Sequence, residues 1–337
     1  MSTLLAWLQK HLVWSIPGAM ALGLGVGDVT DAGALRWAIL PLTFLMVYPM
    51  MVSMNLRALV APDGARLQGA ALAINFVLLP LVGWGAGLLF FPEQPAARLA
   101  LLLTALLPTS GMTISWTGFA RGNVPAAVKM TVIGLLAGSL LAPLYLKALL
   151  GAVVEIPLVQ VALQIALIVF LPLALGQLTQ RWLIARDGRE RFDAHHKLRF
   201  PPWSTLGVLG IVFVSMALKA PEIVRAPLAL VGLLLPLVAI YALNFVLSTL
   251  IGRALFARGD AIALVYGTVM RNLSIALAIA IGVFREAGAD AALLIALAYI
   301  VQVQAAAWYV RFTDRVFGPA APVVRIQPGR RAEGVSS

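Results

Sequence analysis

The 337-residue chain is 61% hydrophobic and 12% charged, and its formal net charge is +11. A soluble globular chain has about twice that charged fraction, so the composition excludes an ordinary soluble domain. The sequence has no cysteine, which excludes disulfides, thiolate metal ligands and cysteine redox centres. Because the basic residues are dispersed through short polar stretches, contact with anionic lipid headgroups explains their excess better than binding of nucleic acid.

Ten apolar segments of 17 to 27 residues follow one another along the chain. About 20 such residues cross the hydrocarbon core of a bilayer. Backbone groups in lipid must pair within a helix or a closed barrel, and continuous apolar runs lack the alternation of barrel strands. The sequence therefore predicts an all-α membrane protein with ten transmembrane helices. The apolar runs that form the centres of the predicted spans are 11–27, 37–56, 67–92, 99–120, 130–146, 156–180, 200–218, 226–252, 261–284 and 291–310.

The distribution of Lys and Arg predicts the orientation of these spans. Of 25 such residues, only Lys129 and Arg271 fall inside predicted spans. The other 23 divide 17 to 6 between the two sides, and both termini and the longest basic loop, 181–199, lie on the richer side. The positive-inside rule then places both termini in the cytoplasm. Arg outnumbers Lys by 20 to 5, which is typical of a GC-rich bacterial genome and favours the bacterial inner (plasma) membrane.

A repeated tetrapeptide predicts two related halves. The sequence Asn-Phe-Val-Leu at 75–78, in the third span, recurs at 244–247, in the eighth. Because each half holds five spans, an odd number, the second half would be inverted in the membrane, as in many secondary transporters. We predict a first five-helix repeat at 1–151, an inverted repeat at 152–316 and a disordered cytoplasmic tail at 317–337. We expect Asn75 and Asn244 to form hydrogen bonds between helices.

The fourth and ninth predicted spans take equivalent places in the two halves, and both contain helix-breaking sequence. Pro, Gly and four hydroxyl residues lie within 107–115, and a polar cluster lies at 266–274 in the middle of the ninth span. Unwound backbone at that depth is tolerated only around a cavity or inside protein. Paired interruptions of this kind indicate a transporter's substrate site. The alternative is that the hydroxyls bond back to the carbonyls of continuous helices.

Two cationic side chains lie within the predicted spans. Arg271 is the only charged residue of 261–284, and a guanidinium keeps its charge in proteins. A charge at that depth marks a functional site by default. Arg271 either holds the broken helices as a built-in cation or binds an anionic substrate directly. Lys129 either extends to the membrane surface or forms a second cation at the site, where loss of its proton would couple transport to protons.

Four short motifs lie in or near these spans. Pro108 is followed by Ala-Arg-Gly-Asn at 120–123 and Val-Lys-Met-Thr at 128–131, and this arrangement resembles the bile acid/sodium symporter superfamily. Tyr-Pro-Met-Met at 48–51 and Asn-x-x-x-Ala-x-Ala at 272–278 are most similar to its arsenic-resistance (arsenite efflux) branch. The resemblance implies a panel domain of spans 1, 2, 6 and 7. It also implies a core domain of spans 3, 4, 5, 8, 9 and 10, in which spans 4 and 9 are broken and cross.

The chain departs from the sodium site that this resemblance implies. Sodium-coupled members carry Glu and Gln in span 9 and a Ser-Asn pair in span 4 as ligands. Only Thr131 and Asn272 remain here as oxygen ligands, and all 14 acidic residues lie in predicted loops or the tail. No carboxylate would compensate a bound sodium ion, so sodium coupling is not expected. The residues at the family's ligand positions are Gly267, Arg271, Thr113 and Ile114.

The chain also departs from the arsenite-efflux branch. The resemblance implies a Cys in span 4 and acidic residues in spans 9 and 10. Here the first region reads Thr-Ser-Gly at 109–111, and Ser274 and Gln302 take roughly the places of the acids. Capture of arsenite by a thiolate is therefore excluded for this chain.

These features predict a secondary active transporter that moves a small anion or oxyanion by alternating access. Efflux of arsenite or antimonite is the substrate choice that the resemblance implies, without sodium and with protons as a candidate coupling ion. The alternative is a sodium-coupled organic-anion symporter of the bile-acid type. An intramembrane enzyme or a sensor is more remote, because the spans lack an acid pair or a zinc site and no signalling domain is attached. The expected partners are the anion, protons and membrane lipids.

The candidate substrate and ion site is drawn from polar residues of the fourth, fifth, ninth and tenth spans. No catalytic residue, cofactor or metal is expected, since Asp193, His195 and His196 alone are too few ligands for a metal centre. The site residues are Thr109, Ser110, Thr113, Ser115, Lys129, Thr131, Arg271, Asn272, Ser274 and Gln302.

Overall fold

Every element that the structure describes is helical. The computed structural model describes residues 5, 7, 8, 11–56, 64–152, 154, 156–225 and 228–319, so most of the predicted tail lies outside the described residues. The longer helices are α1 (Leu12–Val29), α2 (Ile39–Ser53), α3 (Ala65–Phe90), α4 (Pro95–Leu106), α5 (Gly111–Phe119), α6 (Val124–Leu150), α7 (Leu158–Asp187), α8 (Pro201–Arg225), α9 (Leu228–Leu255), α10 (Arg258–Val269) and α11 (Leu273–Phe317). Short helical stretches occupy Ala32–Ala38 and 189–199.

The lengths and composition of these helices confirm an all-α membrane protein. In the described part of the chain, six helical stretches are long and apolar enough to cross a membrane, and three apolar helices are shorter. The six are Ala65–Phe90, Val124–Leu150, Leu158–Asp187, Arg189–Leu218, Val231–Leu255 and Asp290–Phe317. The shorter ones are Pro41–Ser53, Pro95–Leu106 and Leu273–Phe284. The count of ten spans and their repeat stay predictions.

Both predicted interruptions are confirmed. Residues 107–110 separate α4 from α5, and residues 270–272 separate α10 from α11. Pro108 disfavours a helical conformation of the residue before it, and Thr109 has a φ of 59°, which is rare for a β-branched residue. The Ser110 side chain then caps α5 by accepting from Met112 N at 3.3 Å. Three consecutive residues therefore determine where the helix is interrupted.

Helix α11 folds back on itself near Gly288. A Cβ placed on Gly288 would lie 1.9 Å from the carbonyl oxygen of Ala280. Eight residues of straight helix would separate these positions by about 12 Å. The segment Leu273–Phe284 and the segment Asp290–Phe317 are therefore two arms of a helical hairpin.

Helices α1 and α8 pack closely at two glycine residues of α1. A Cβ at Gly23 or Gly27 of α1 would lie 2.4 or 2.1 Å from a backbone oxygen of α8, that of Phe213 or Ala217 respectively. Small residues at these two positions therefore allow the backbones of α1 and α8 to approach closely. Helices α1, α2, α7 and α8 form one set of neighbours, and α4 packs on α3, α6 and α11 while α10 packs on α6 and α9.

Two loop predictions are wrong. Residues 181–199 are helical at 181–187, as the end of α7, and again at 189–199. Arg98, predicted between two spans, lies in the first turn of α4 and is 9% exposed. Hydropathy marks where lipid ends, but a helix of good formers such as Arg, Leu and Ala continues beyond that level.

Candidate functional site at the crossing of the broken helices

The two helix breaks run antiparallel against each other. Pro108 and Arg271 form an isolated antiparallel bridge. The backbone N–H of Asn272 donates to the carbonyl of Leu107 at 2.8 Å. The contact brings together four helix ends, the C-termini of α4 and α10 and the N-termini of α5 and α11.

The guanidinium of Arg271 binds oxygens from three parts of the chain. Its Nε donates to Thr104 O at 3.1 Å, and its Nη1 donates to Asn75 Oδ1 at 2.5 Å and to Thr268 O at 3.0 Å. Its Nη2 donates to Ala105 O. The residue is 3% exposed. All four acceptors are uncharged, so the cation is held by dipoles and not by a carboxylate.

These acceptors explain how a charge is accommodated at this depth. Thr104 and Ala105 belong to the last turn of α4, and Thr268 belongs to the last turn of α10. The final carbonyls of a helix have no intrahelical donor and carry its negative partial charge. A planar guanidinium with five donors can satisfy several of them at once. Arg271 therefore caps two helices with one side chain.

A polar network fixes the backbone of Arg271 as well. The Gln302 side chain accepts from Arg271 N at 2.7 Å and donates to Arg271 O at 3.3 Å. The same Gln302 oxygen accepts from Tyr241 Oη at 2.9 Å. Gln302 is fully buried, and its side chain contacts the backbone of Arg271 and the hydroxyl of Tyr241.

The paired asparagines both bind the end of α10. Asn75 Nδ2 donates to Gly267 O at 3.0 Å, and Asn244 Nδ2 donates to the next carbonyl, Thr268 O, at 2.9 Å. The prediction of hydrogen bonds between helices is therefore confirmed for both. Asn244 Oδ1 accepts from Ser248 at 3.0 Å and Asn75 Oδ1 accepts from Arg271, so only Asn75 contacts the cation.

A small cavity adjoins the guanidinium. Its volume is about 10 Å³, and Thr104, Ala105, Tyr241, Asn244 and Arg271 contribute to its wall. A cavity of about 10–15 Å³ holds at most a single water molecule. In this conformation the cavity next to Arg271 has no room for a substrate.

The N-terminal ends of α5 and α11 carry side-chain caps of their own. Thr113 Oγ1 accepts from Ser110 N at 3.2 Å, which completes a capping box on α5. Asn272 Oδ1 accepts from Ile275 N at 3.3 Å at the start of α11. Asn272 is 2% exposed, and its Nδ2 is a buried donor that has no acceptor among the residues that the structure describes. Such a donor is costly unless a ligand or water meets it.

The remaining predicted site residues differ in their contacts and in their exposure. Thr109 Oγ1 donates to Pro108 O at 2.8 Å and to Thr131 O at 3.3 Å, which joins the first break to α6. Ser274 Oγ lies 2.5 Å from Tyr299 Oη, between the two arms of α11. Ser115 is exposed and Lys129 is half-buried. Ser115 is therefore turned away from the buried residues of α5.

Several residues of the site were not predicted from sequence. Tyr241 and Tyr299 are buried partners of Gln302 and Ser274, and Thr268 is a shared acceptor. A Tyr in an apolar span gives no signal that separates a core residue from a site residue. Backbone acceptors such as the carbonyl of Ala105 give none at all.

Interrupted helices that cross inside an apolar protein are typical of membrane transporters. A model of the Sodium Bile acid symporter family matches residues 40–226, more than half of the chain. The chain therefore belongs to the sodium bile acid symporter family, which confirms the resemblance drawn from its motifs.

Similar proteins come from several bacteria. An uncharacterised protein of Pseudomonas aeruginosa is 33% identical over 62% of this chain and 63% of its own length. The arsenical-resistance protein Acr3 of Corynebacterium glutamicum is 23% identical over 85% of this chain and 84% of its own. An uncharacterised transporter of Synechocystis is 24% identical over 68% of each chain. Family and relatives indicate a multi-pass membrane transporter rather than an enzyme.

Proposed function

We propose that this protein moves a small anion or oxyanion by alternating access and does so without sodium. The observation that carries the proposal is the Arg271 guanidinium, buried among uncharged oxygens at the crossing of the two breaks. A positive charge opposite the carbonyls stabilises the two helix C-termini at the crossing. Arg271 supplies this charge permanently, so a mobile cation is not required.

The anion is proposed to bind at the other pair of helix ends. The N-termini of α5 and α11 carry positive partial charge and free N–H groups. Asn272 adds a buried amide donor that has no partner in the described part of the chain. Ser110 and Thr113 add hydroxyls on the α5 side. Because Arg271 is saturated by backbone and amide acceptors, we assign it to holding the crossing and not to direct substrate contact.

We propose that the chain consists of two inverted repeats, 1–151 and 152–316, which both contribute to a panel domain (predicted spans 1, 2, 6 and 7) and to a core domain (spans 3, 4, 5, 8, 9 and 10). The two domains move against each other, with both termini in the cytoplasm of the bacterial plasma membrane. Asn75 and Asn244 take matching positions in the two proposed repeats, and both bind consecutive carbonyls of α10. The neighbour sets of the helices support the division, since α1, α2, α7 and α8 pack together.

Arsenite and antimonite are the first substrates to test. The Corynebacterium relative is an arsenical-resistance protein and aligns over most of this chain. With no cysteine in the sequence, an arsenic oxyanion would be bound by hydroxyl and amide donors. A small organic anion fits the same donors and is the second substrate class to test.

Transport into reconstituted vesicles tests the proposal. Lipid vesicles reconstituted with purified protein in the inside-out orientation should accumulate one of these anions in choline buffer. The variant Asn272→Leu should lose most of the uptake, while Ser115→Ala, on the exposed side of α5, should keep it. Equal uptake by the Asn272→Leu variant and the wild type would contradict the assignment of the substrate site.

Lys129 is proposed to couple this transport to protons. It lies half-buried within α6, two residues before Thr131. Lys129→Ala should abolish uptake driven by a pH gradient and leave the protein folded. Unchanged pH-gradient dependence in this variant would reject the coupling role.

A sodium-coupled organic-anion symporter remains the second candidate. The description of the matching family favours it, since that description names sodium and bile acid. Replacing choline by sodium in the same vesicles separates the two candidates. A several-fold stimulation of uptake by sodium would favour the symporter.

A further inference from the structure

A polar cavity lies where the apolar part of α2 ends, far along the chain from the crossing. Its volume is about 220 Å³, and its lining includes Ser53, Asn55, Gln180, Arg189, Asp193 and Lys197. At about 30 Å³ per water molecule, it has room for roughly seven waters. The cavity is therefore large enough for a small charged group.

The cavity is built by contacts that fix the helical stretch 189–199 against α2. Gln180 Nε2 donates to Val52 O at 2.8 Å and to Met54 O at 3.0 Å, which caps the end of α2. Phe192 is 1% exposed and packs with Val52 and Leu183. These contacts anchor the segment that carries Arg189 and Lys197.

The charges in the cavity are unbalanced. Arg189, Asp193 and Lys197 follow at intervals of four residues and therefore share one helical face. Arg189 Nε lies 3.4 Å from Asp193 Oδ2, and Lys197 Nζ lies 4.0 Å from Asp193 Oδ1. The two cations therefore share one carboxylate, and both distances are long for an ion pair. The side chains of both cations are also more than two-fifths exposed, so a stronger anion can compete for them.

The cavity lies at the level of lipid headgroups. Helix α2 ends at Ser53, the charge-free run of α7 ends at Gln180, and α8 begins at Pro201. Polar residues between such ends lie where phospholipid phosphates are found. Basic pockets between helices at this level are suited to anionic headgroups.

We propose that this cavity binds the phosphate group of an anionic phospholipid. Arg189 and Lys197 supply the positive charge, and Ser53, Asn55 and Gln180 supply polar side chains around it. Asp193 opposes binding and sets its strength. The site is separate from the substrate site, so it stands or falls independently of the transported anion.

Binding to the purified full-length protein tests this proposal. Detergent-solubilised protein is titrated with short-chain phosphatidylglycerol, with phosphatidylcholine and with inorganic phosphate, and the dissociation constants are measured. Arg189→Gln combined with Lys197→Gln should weaken phosphatidylglycerol binding roughly 25-fold, at about fivefold per lost cation. Asp193→Asn should strengthen it about fivefold by the same reasoning. Arg191→Gln, an exposed cation outside the cavity lining, is the matched control and should change nothing.

The pattern across variants decides the outcome. Opposite effects of the double variant and Asp193→Asn, with phosphatidylcholine indifferent to all of them, support the site. The same ranking for inorganic phosphate at equal affinity would support a phosphate site but overturn its assignment to a lipid. An equal loss in Arg191→Gln, or no change in the double variant, would overturn the proposal. Unfolding temperatures measured without lipid confirm that the variants are folded.

Discussion

Arg271 and Arg258 stand at opposite ends of α10, and each donates to carbonyls at the ends of two helices. Arg258 donates through Nη1 to Arg121 O at 2.9 Å, through Nη2 to Ala120 O at 3.4 Å and through Nε to Gly318 O at 2.8 Å. It thereby joins the ends of α5 and α11. Arg271 joins the ends of α4 and α10 in the same chemical way.

The surroundings of the two arginines differ. Arg258 also binds Asp314 at 2.5 Å, and its side chain is 16% exposed. Arg271 is 3% exposed, and the acceptors of its hydrogen bonds are all neutral. Water can replace the contacts of Arg258, whereas the cavity beside Arg271 holds about one water molecule. The comparison teaches that the same capping contacts carry very different energies at the two depths.

The largest effect is expected at Arg271. Arg271→Met removes a guanidinium donor from four buried oxygens, of which Thr268 O keeps its bond from Asn244. Each buried acceptor left unsatisfied costs about 1–3 kcal/mol. Thermal unfolding in detergent should therefore occur many degrees lower, or the folded protein should not accumulate. Arg271→Lys, which keeps the charge but not the planar fork, should fall between Met and wild type. A Met variant as stable as the wild type would mean that the carbonyls find other donors.

A guanidinium ion in solution offers a rescue experiment. Arg271→Ala leaves the acceptor oxygens in place around an emptied space. Millimolar guanidinium should raise the unfolding temperature of this variant, because the ion supplies the lost donors, and should leave the wild type unchanged. Failure of the ion to stabilise a folded Ala variant would argue against a purely local role of the side chain.

A smaller difference is expected between the two asparagines. Asn75→Leu removes a hydrogen bond to a charged group and one to Gly267 O, and bonds to charged groups contribute about 1.5–3 kcal/mol. Asn244→Leu removes neutral bonds, which contribute about 0.5–1.5 kcal/mol each. Unfolding measurements should therefore rank Asn75→Leu as the more damaging change. The reverse ranking would show that contact with Arg271 adds little.

The smallest effect is expected at Arg258. Arg258→Gln loses capping contacts and an ion pair at the protein surface, where such interactions contribute about 0–1 kcal/mol. Its unfolding temperature should fall by only a few degrees, and raising the salt concentration should reduce the difference from wild type. Asp314→Asn is the matched control for the ion pair alone. A loss as large as that of Arg271→Met would contradict the dependence on depth.

The sequence was sufficient to predict the helical class and both interruptions, and at the first of them Pro108, Thr109 and Ser110 act on the local backbone. It also indicated Arg271, since a lone charge in an apolar run is conspicuous. The oxygens that accept hydrogen bonds from Arg271 could not be predicted from the sequence. The carbonyls of Thr104 and Ala105 come from a segment more than 160 residues away in the chain, and carbonyls carry no residue signature.

The hydroxyl residues show a different limit of sequence reasoning. Thr113 and Ser115 are two residues apart in one short helix, so they face different directions, and only Thr113 is buried. A helical period predicts this separation but does not tell which face meets the crossing. The choice is made by α6 and α10, which pack against α5. Tertiary packing therefore selects the site from a longer set of polar candidates.

Anion uptake by wild-type vesicles as a function of sodium concentration tests the central claim most directly. If Arg271 is the resident cation of the crossing, the initial rate in choline buffer should equal the rate in sodium buffer, and no sodium concentration should raise it. An uptake that is absent in choline and appears with sodium would contradict the account.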